Sequence, residues 1–379
     1  ANRKIDRKAL PKPEDGASEE RYVAPRDALE IGIAAQFAAL LGIDRVGLHD
    51  GFFDLGGHSL LAVQLVAALK REYGVELAVS ELVQAPTVAQ LACRVRGDGD
   101  AARTGLVIEL KQAAGARPLW LFHPIGGNIF CYLELARSLA PGRPVLAVQS
   151  PAMDADGEAE VTVEAMAARY LVELRERQPE GPYLLGGWCF GGVIAFEVAR
   201  QLRAQGEAVE RILAIDTRAP IEANVPDDAD DATLLSWFAR DLATPYGKTL
   251  AIAPDVLRAL PNEAMFAHVL DAAKAIGVLP QDADERQIAR YFEAYMANGM
   301  ALRMYFPEPE PLPVLLFVAR DETEDFGPRL GWDALVGAAL ESVEVAGDHN
   351  SVMYSPQIAD VAARIDGAHP IQPLQGPAS

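Results

Sequence analysis

The stretch Leu184-Leu185-Gly186-Gly187-Trp188-Cys189-Phe190-Gly191-Gly192 decides the reading of this chain. It begins as a short apolar strand, turns sharply, and opens a helix at Phe190. Cys189 stands at the corner, with Gly187 two residues before it and Gly191 two after. A strand that turns at once into a helix strains the residue at the corner, and the glycines leave room for the helix to pass close to the strand. The turn lifts the Cys189 side chain to the top of a sheet, at a helix N-terminus whose amides favour developing negative charge. The candidate nucleophile of this chain is therefore a thiol.

Working outward, short apolar runs alternate with amphipathic segments from about Thr104 to Asp366, the pattern of an α/β sheet. Strands are expected at Val107–Leu110, Pro118–Phe122, Val145–Val148, Tyr183–Leu185, Ile212–Ile215, Val314–Val318 and Val343–Val345. Continuous apolar runs suit strands buried on both faces. Between Asp216 and Val314 no strand signal appears. Helices are expected there over about Ala232–Ala243, Asn262–Ile276 and Glu285–Tyr305. This order of elements, with its G-x-nucleophile-x-G corner, resembles the α/β-hydrolase fold. The resemblance implies that the insertion, about 219–305, is a helical lid over the site.

Composition limits the remaining possibilities. A formal net charge of −20 argues against nucleic-acid partners and anionic membranes, which need clustered Lys and Arg. No apolar run approaches the ~18 residues of a membrane span. The charged start from Arg3 to Lys8 lacks the apolar core of a signal peptide. Cys93, Cys131 and Cys189 show neither pairing nor metal-like spacing, which fits a reducing cytoplasm where a free thiolate can work. Cys93 and Cys131 are expected in the core.

A second region, about 22–96, has a compact helical pattern. Within it lies Phe52-Phe53-Asp54-Leu55-Gly56-Gly57-His58-Ser59-Leu60-Leu61-Ala62-Val63, where a glycine pair turns the chain and Ser59 opens a helix with Leu61, Leu65 and Leu69 on one face. Alone, Ser59 reads as a helix cap. The full string resembles the attachment site of a peptidyl carrier protein from a nonribosomal peptide synthetase. That resemblance implies a small all-α, four-helix carrier domain and 4′-phosphopantetheine held covalently on Ser59, its phosphate at the helix N-terminus. Residues 1–21 hold Asn2-Arg3-Lys4-Ile5-Asp6-Arg7-Lys8-Ala9-Leu10-Pro11, which resembles the last motif of an adenylation domain. They read as its C-terminal tail and a linker, with Lys4 a leftover of a longer assembly. Residues 97–103 form a Gly/Asp-rich linker. The hydrolase-like domain is expected over 104–372, with a frayed tail at 373–379.

A thiolate nucleophile needs a base, the base an orienting acid, and the intermediate an oxyanion hole. His349, in Gly347-Asp348-His349-Asn350 after the last strand, stands where the hydrolase histidine sits. His49 and His58 fall in the carrier zone, His268 in the lid and His369 in the tail. His123 is expected to support its own loop. Two carboxylates follow strands, Asp216 and Asp321. General α/β-hydrolases place the acid after the later strand, whereas the thioesterase domains that this chain resembles place it one strand earlier. Asp216 is favoured, with Asp321 the alternative, since Asp321 lies in an acidic run that reads as a solvated turn. The oxyanion hole is expected from the Phe190 amide and from Ile125 in His123-Pro124-Ile125-Gly126-Gly127, because Pro124 has no N–H to donate. The lid aromatics Trp237, Phe238, Phe266, Tyr291 and Tyr295 read as packing, and the run Asp227–Asp231 as solvated loop.

Across nearly its whole length the chain resembles a terminal carrier–thioesterase didomain of a nonribosomal peptide synthetase. The resemblance implies partners: upstream adenylation and condensation domains, a phosphopantetheinyl transferase, a peptidyl substrate, and contact between carrier and thioesterase. It also implies chain release through Cys189. Serine is the usual nucleophile here, and a few cysteine-dependent releasing domains close strained β-lactone or β-lactam rings. One is the releasing domain of monobactam (sulfazecin-type) synthesis, so ring-forming release is the first reading. Hydrolytic or macrocyclising release is an alternative, and a non-catalytic carrier-docking module a third.

Overall fold

The computed structural model describes residues 22–57, 59–75, 77, 79–97, 105–153, 160–221, 230–244, 248–279, 285–321 and 327–369. The segment 1–21 with Lys4, most of the linker, His58, the first part of the acidic run (Asp227 and Asp228) and the tail 373–379 lie outside the described residues. The chain divides into two compact units between Ala102 and Arg103.

The first unit is built from four helices, α1 (Ala28–Leu41), α2 (Ser59–Tyr73), α3 (Val79–Gln84) and α4 (Val88–Arg96). Asp27 caps α1 by accepting from the Leu29 and Glu30 amides, and Thr87 with Gln90 closes a capping box on α4. Phe52 closes the middle of the unit, edge-on to Phe37 with ring centroids 4.9 Å apart and to Phe53 at 5.5 Å. The buried face of α2 carries Ala62, Leu65 and Leu69, while Leu61 is half-buried beside it. Cys93 corrects the expectation of a core thiol. It is exposed, because α4 turns Val88, Leu91 and Ala92 inward and the next residue falls on its outer side.

In the second unit continuous apolar runs become interior strands. The strands are β1 (Val107–Lys111), β2 (Leu119–Phe122), β3 (Val145–Val148), β4 (Tyr183–Trp188), β5 (Val209–Ile215), β6 (Val314–Ala319) and β7 (Leu340–Val345). They form one sheet in the order β1-β3-β2-β4-β5-β6-β7, with β1 antiparallel to β3 and every other pair parallel. β4, which ends at the corner before Cys189, lies mid-sheet between β2 and β5. Helices α5 (Leu133–Ser138), α6 (Val163–Arg177) and α7 (Phe190–Ala204) follow β2, β3 and β4. α7 packs on β2, β4 and β5 and against α6, so it is buried almost all round, from Phe190 and Val193 to Leu202. Each such Leu, Ile or Phe contributes about 1.5–3 kcal/mol of hydrophobic stabilisation.

The insertion after β5 holds α8 (Asp231–Ala243), α9 (Pro254–Arg258), α10 (Asn262–Ala275) and α11 (Glu285–Arg303). α9 was not expected: it is one turn long and starts on a proline, too short for a periodic signal. Phe238, Phe266, Tyr295 and the unforeseen Phe292 pack together, with centroids 5.2–5.6 Å apart. Asp230 corrects the reading of the acidic run. It caps α8 through the Thr233 amide at 3.0 Å and pairs with Arg258 at 2.8 Å. After β6 come α12 (Asp333–Val336) and, beyond β7, α13 (Gln357–Ala368). β7 begins three residues before its apolar run, because an edge strand needs only alternate burial and accepts Glu341 and Ser342. His369 also departs from expectation: it is buried at the end of α13, its Nδ1 3.0 Å from Glu210 Oε1. No helix among the described residues is long and apolar enough to cross a membrane.

Candidate active site

Cys189 has φ 56° and ψ −125°, a backbone conformation that an L-residue adopts only under local constraint. The constraint is visible on both sides. The Cys189 amide donates to the Ile215 carbonyl at 3.1 Å, and its own carbonyl accepts from Gly192 N–H at 3.2 Å. A Cβ on Gly191 would lie 2.1 Å from the Phe122 carbonyl oxygen, and one on Gly187 2.3 Å from Gly191. Only glycine lets α7 start this close to the strand ends. Tyr132, wholly buried, ties those ends together: its hydroxyl accepts from Trp188 N–H at 2.9 Å and donates to the Phe122 carbonyl at 2.5 Å.

The structure brings His349 and Asp216 together across the sheet top, with His349 Nδ1 2.6 Å from Asp216 Oδ2. Asp216 leaves β5 at φ 41°, a second strained non-glycine residue, and its other oxygen accepts from Ala319 N–H at 2.8 Å. Two bonds therefore hold the carboxylate in one orientation. Burial disfavours the charged imidazole, but negative charge on Cys189, together with hydrogen bonds to Asp216 and to Cys189, outweighs it and raises His349 to about 10. Asp321 is placed elsewhere. Its carboxylate accepts from Gly347 N–H at 3.1 Å and its amide donates to the Gly347 carbonyl at 2.9 Å, so it fastens the histidine loop and leaves the ring to Asp216.

Trp188 adds a contact that sequence reasoning missed. Its indole N–H donates to the His349 carbonyl at 2.8 Å, and the two rings lie 5.0 Å apart. The residue before Cys189 thus holds the loop that carries His349. Adjacency to the corner was the one signal in the sequence, and it did not identify a partner 161 positions away.

The loop after β2 is fixed by His123. This fully buried imidazole contacts the Pro124 carbonyl through Nδ1 at 2.8 Å and Tyr170 Oη through Nε2 at 2.7 Å. A carbonyl only accepts, so Nδ1 carries the proton and Nε2 accepts from the tyrosine. Burial holds the ring neutral, with its pKa lowered to about 4. The Pro124 carbonyl also accepts from Gly127 N–H at 2.9 Å. Because the Pro124 carbonyl and Ile125 N–H share one planar peptide and point in opposite directions, fixing the first aims the second. Phe190 N–H is the first amide of α7 and has no acceptor within its own helix. Burial raises the Cys131 thiol well above its ordinary value, and charge on nearby Cys189 opposes its ionisation further.

Ser59 is the first residue of the 15-residue helix α2, whose first turn carries no acidic side chain. The free amides there suit a phosphate esterified to that serine. The residues present fit the group.

Residues 117–366 match the thioesterase domain family, and residues 32–95 match the phosphopantetheine attachment site. The chain belongs to the thioesterase domain family, with a phosphopantetheine-carrying domain preceding it. A four-domain nonribosomal peptide synthetase, solved in its holo form with AMP and glycine, is 54% identical with a TM-score of 0.70, over 97% of this chain and 28% of that one. The dimodular nonribosomal peptide synthase of Bacillus subtilis (strain 168) is 32% identical over 372 residues, 95% of this chain and 15% of the relative. The NocB thioesterase domain, in covalent complex with a fluorophosphonate nocardicin G analogue, is 25% identical with a TM-score of 0.52, over 70% of this chain and 99% of that domain. The chain thus spans less than a third of the length of either synthetase.

Proposed function

We propose that this chain releases the product of nonribosomal peptide synthesis, with Cys189 as nucleophile, His349 as acid–base, Asp216 as its orienting acid, and the Phe190 and Ile125 amides as oxyanion hole. The observation that carries the reading is the strained Cys189 at a helix N-terminus, electrostatically coupled to a histidine whose Nδ1 lies 2.6 Å from Asp216 Oδ2. When attached to Ser59, phosphopantetheine supplies a long arm ending in a thiol, on which an acyl chain is presented as a thioester.

His349 takes the thiol proton as Cys189 Sγ attacks the thioester carbonyl, and the two amides receive the negative charge that develops on oxygen. As the intermediate collapses, the bond to the leaving sulfur breaks and His349 gives that sulfur its proton. The acyl group is now a thioester of Cys189. A nucleophilic N–H or O–H within the acyl chain attacks the same carbonyl, His349 takes its proton, and Cys189 leaves to recover it. The products are a ring and the regenerated enzyme. Exchanging one thioester for another is nearly isoenergetic, so the acyl group stays activated; an oxoester on serine would dissipate part of that activation. A retained thioester suits a weak internal nucleophile or closure of a strained ring, a β-lactam or β-lactone.

The test is mass spectrometry of protein and products after loading Ser59 with a peptidyl-pantetheine mimic, on the parent and on Cys189→Ala. A product one water lighter than the free acid, absent with the variant, supports cyclising release. Free acid from the parent reduces the reading to hydrolysis. Equal turnover by the variant removes Cys189 as nucleophile.

A further inference from the structure

Ile125 sits between two anchored peptide planes, and they are anchored to different parts of the domain. The plane before it is fixed from below, by His123 Nδ1 and Gly127 N–H on the Pro124 carbonyl. The loop is also tied to the sheet, where Ser150 N–H after β3 donates to the Gly127 carbonyl at 2.8 Å. The plane after it is fixed from above. Asn298, on lid helix α11 and wholly buried, donates from Nδ2 to the Ile125 carbonyl at 2.8 Å.

The rest of the contact is continuous with that bond. A Cβ built on Gly299 would lie 3.0 Å from Leu234 of α8 and 3.7 Å from Ile125 Cδ1, so α11 passes close to the Ile125 side chain where it also meets α8. The amide orientation follows from its partner, since a carbonyl cannot donate and Nδ2 must face it. Asn298 Oδ1 is then buried with no hydrogen-bond partner among the described residues. A leucine of similar volume would fill the space without burying an unpaired oxygen. Space-filling is therefore not what an asparagine adds here; among the described residues its side chain bonds to Ile125.

We infer that Asn298 is a positioning residue that couples the lid to the oxyanion hole. It pins the Ile125–Gly126 peptide from the lid side, so Ile125, whose N–H lies in the plane fixed by His123 and Gly127, is held on both sides only when α11 is seated. The inference rests on the proposed role of Ile125 in release through Cys189. Asn298 itself touches no reacting atom.

The test uses the full chain, with Asn298→Leu and Asn298→Asp, and two reactions of Cys189. Acylation by a soluble pantetheine thioester passes through an oxyanion, whereas alkylation by iodoacetamide does not. Both variants are expected to slow single-turnover acylation about ten- to a hundredfold, the range for a small misplacement of catalytic geometry. KM and the alkylation rate of Cys189 should stay within about twofold of the parent. Unchanged acylation overturns the inference. So does an equal fall in alkylation, which marks a collapsed site, or a change confined to KM, which marks a substrate contact. Asn298→Asp keeps the volume and loses the donor, so it remains informative if the leucine variant does not fold. Failure of the underlying reading is visible in the parent alone, as Cys189 alkylating no faster than Cys93 and Cys131, and it removes the inference as well.

Discussion

The two units each start a 15-residue helix at a residue with a nucleophilic side chain, Ser59 in one and the N-cap Cys189 in the other. Ser59 begins α2 after the Gly56-Gly57 turn, in a unit whose described residues form four helices. Cys189 begins α7 straight from a central strand, at φ 56°, with His349 and Asp216 brought from the ends of β7 and β5. A helix N-terminus favours an anion in both cases. At Ser59 that suffices for an attached phosphate. At Cys189 a mostly parallel sheet adds three chain segments ending at one edge, and the described residues of the helical unit hold no strand that could do the same. The helix start is a generic device, and under the proposed function the surrounding topology decides whether it carries a group or makes and breaks bonds.

The largest effects separate the two starts. Cys189→Ala should lower release by about 10⁴-fold or more, as loss of a triad nucleophile does, while a phosphopantetheinyl transferase still adds the arm's mass. Ser59→Ala should show no such mass gain. An intact-protein mass spectrum reads both, and an arm found on Ser59→Ala would break the comparison.

Asp216→Asn comes next, at about 10²-fold on kcat. Its sign with pH follows from the geometry. Asp216 favours the protonated ring through its charge and its bond to Nδ1, so removing that charge lowers the pKa of His349 from about 10. Donation to the leaving sulfur needs the protonated ring, so the alkaline limb of the pH profile should move to lower pH. An alkaline limb that does not move would detach Asp216 from the histidine.

Cys189→Ser tests what the thiol adds. Release should continue at a reduced rate, with the ratio of cyclic product to free acid falling several-fold, because an oxoester is the less activated acyl donor. A constant ratio on chromatographic analysis would mean that ring closure does not depend on sulfur. The smallest effect belongs to Asp321→Ala. Losing one part-buried loop bond should cost about 1 kcal/mol of stability, and kcat should stay within about threefold. A loss as large as that of Asp216→Asn would reverse the assignment of the two carboxylates.

How much of this was legible in the sequence depended on distance along the chain. All seven strands of the sheet could be read: the five interior ones carry unbroken apolar runs, while the edge strands β1 and β7 have apolar residues around Glu109 and Glu344. The corner at Cys189, the loop at Ile125 and the position of His349 were legible because each is a local string with a local consequence. The choice between Asp216 and Asp321 was only half legible. Both follow strands, and which one reaches the ring depends on the tertiary placement of β5 and β6. Trp188 and Asn298 were illegible, since their partners lie 161 and 173 positions away and neither residue type announces a bond to a carbonyl. Cys93 misled because a lone cysteine reads as apolar while one step around a helix decides its exposure.

The backbone at Cys189 has a consequence for any attempt to make this enzyme sturdier. A non-glycine residue held in such a region costs about 1–3 kcal/mol, and glycine occupies the same region without penalty. In a library selected for heat resistance alone, Cys189→Gly should rise early as a better-folded and inactive protein. Selection for durability and selection for turnover pull this position in opposite directions, so a stabilising screen on this chain has to score product as well as melting temperature.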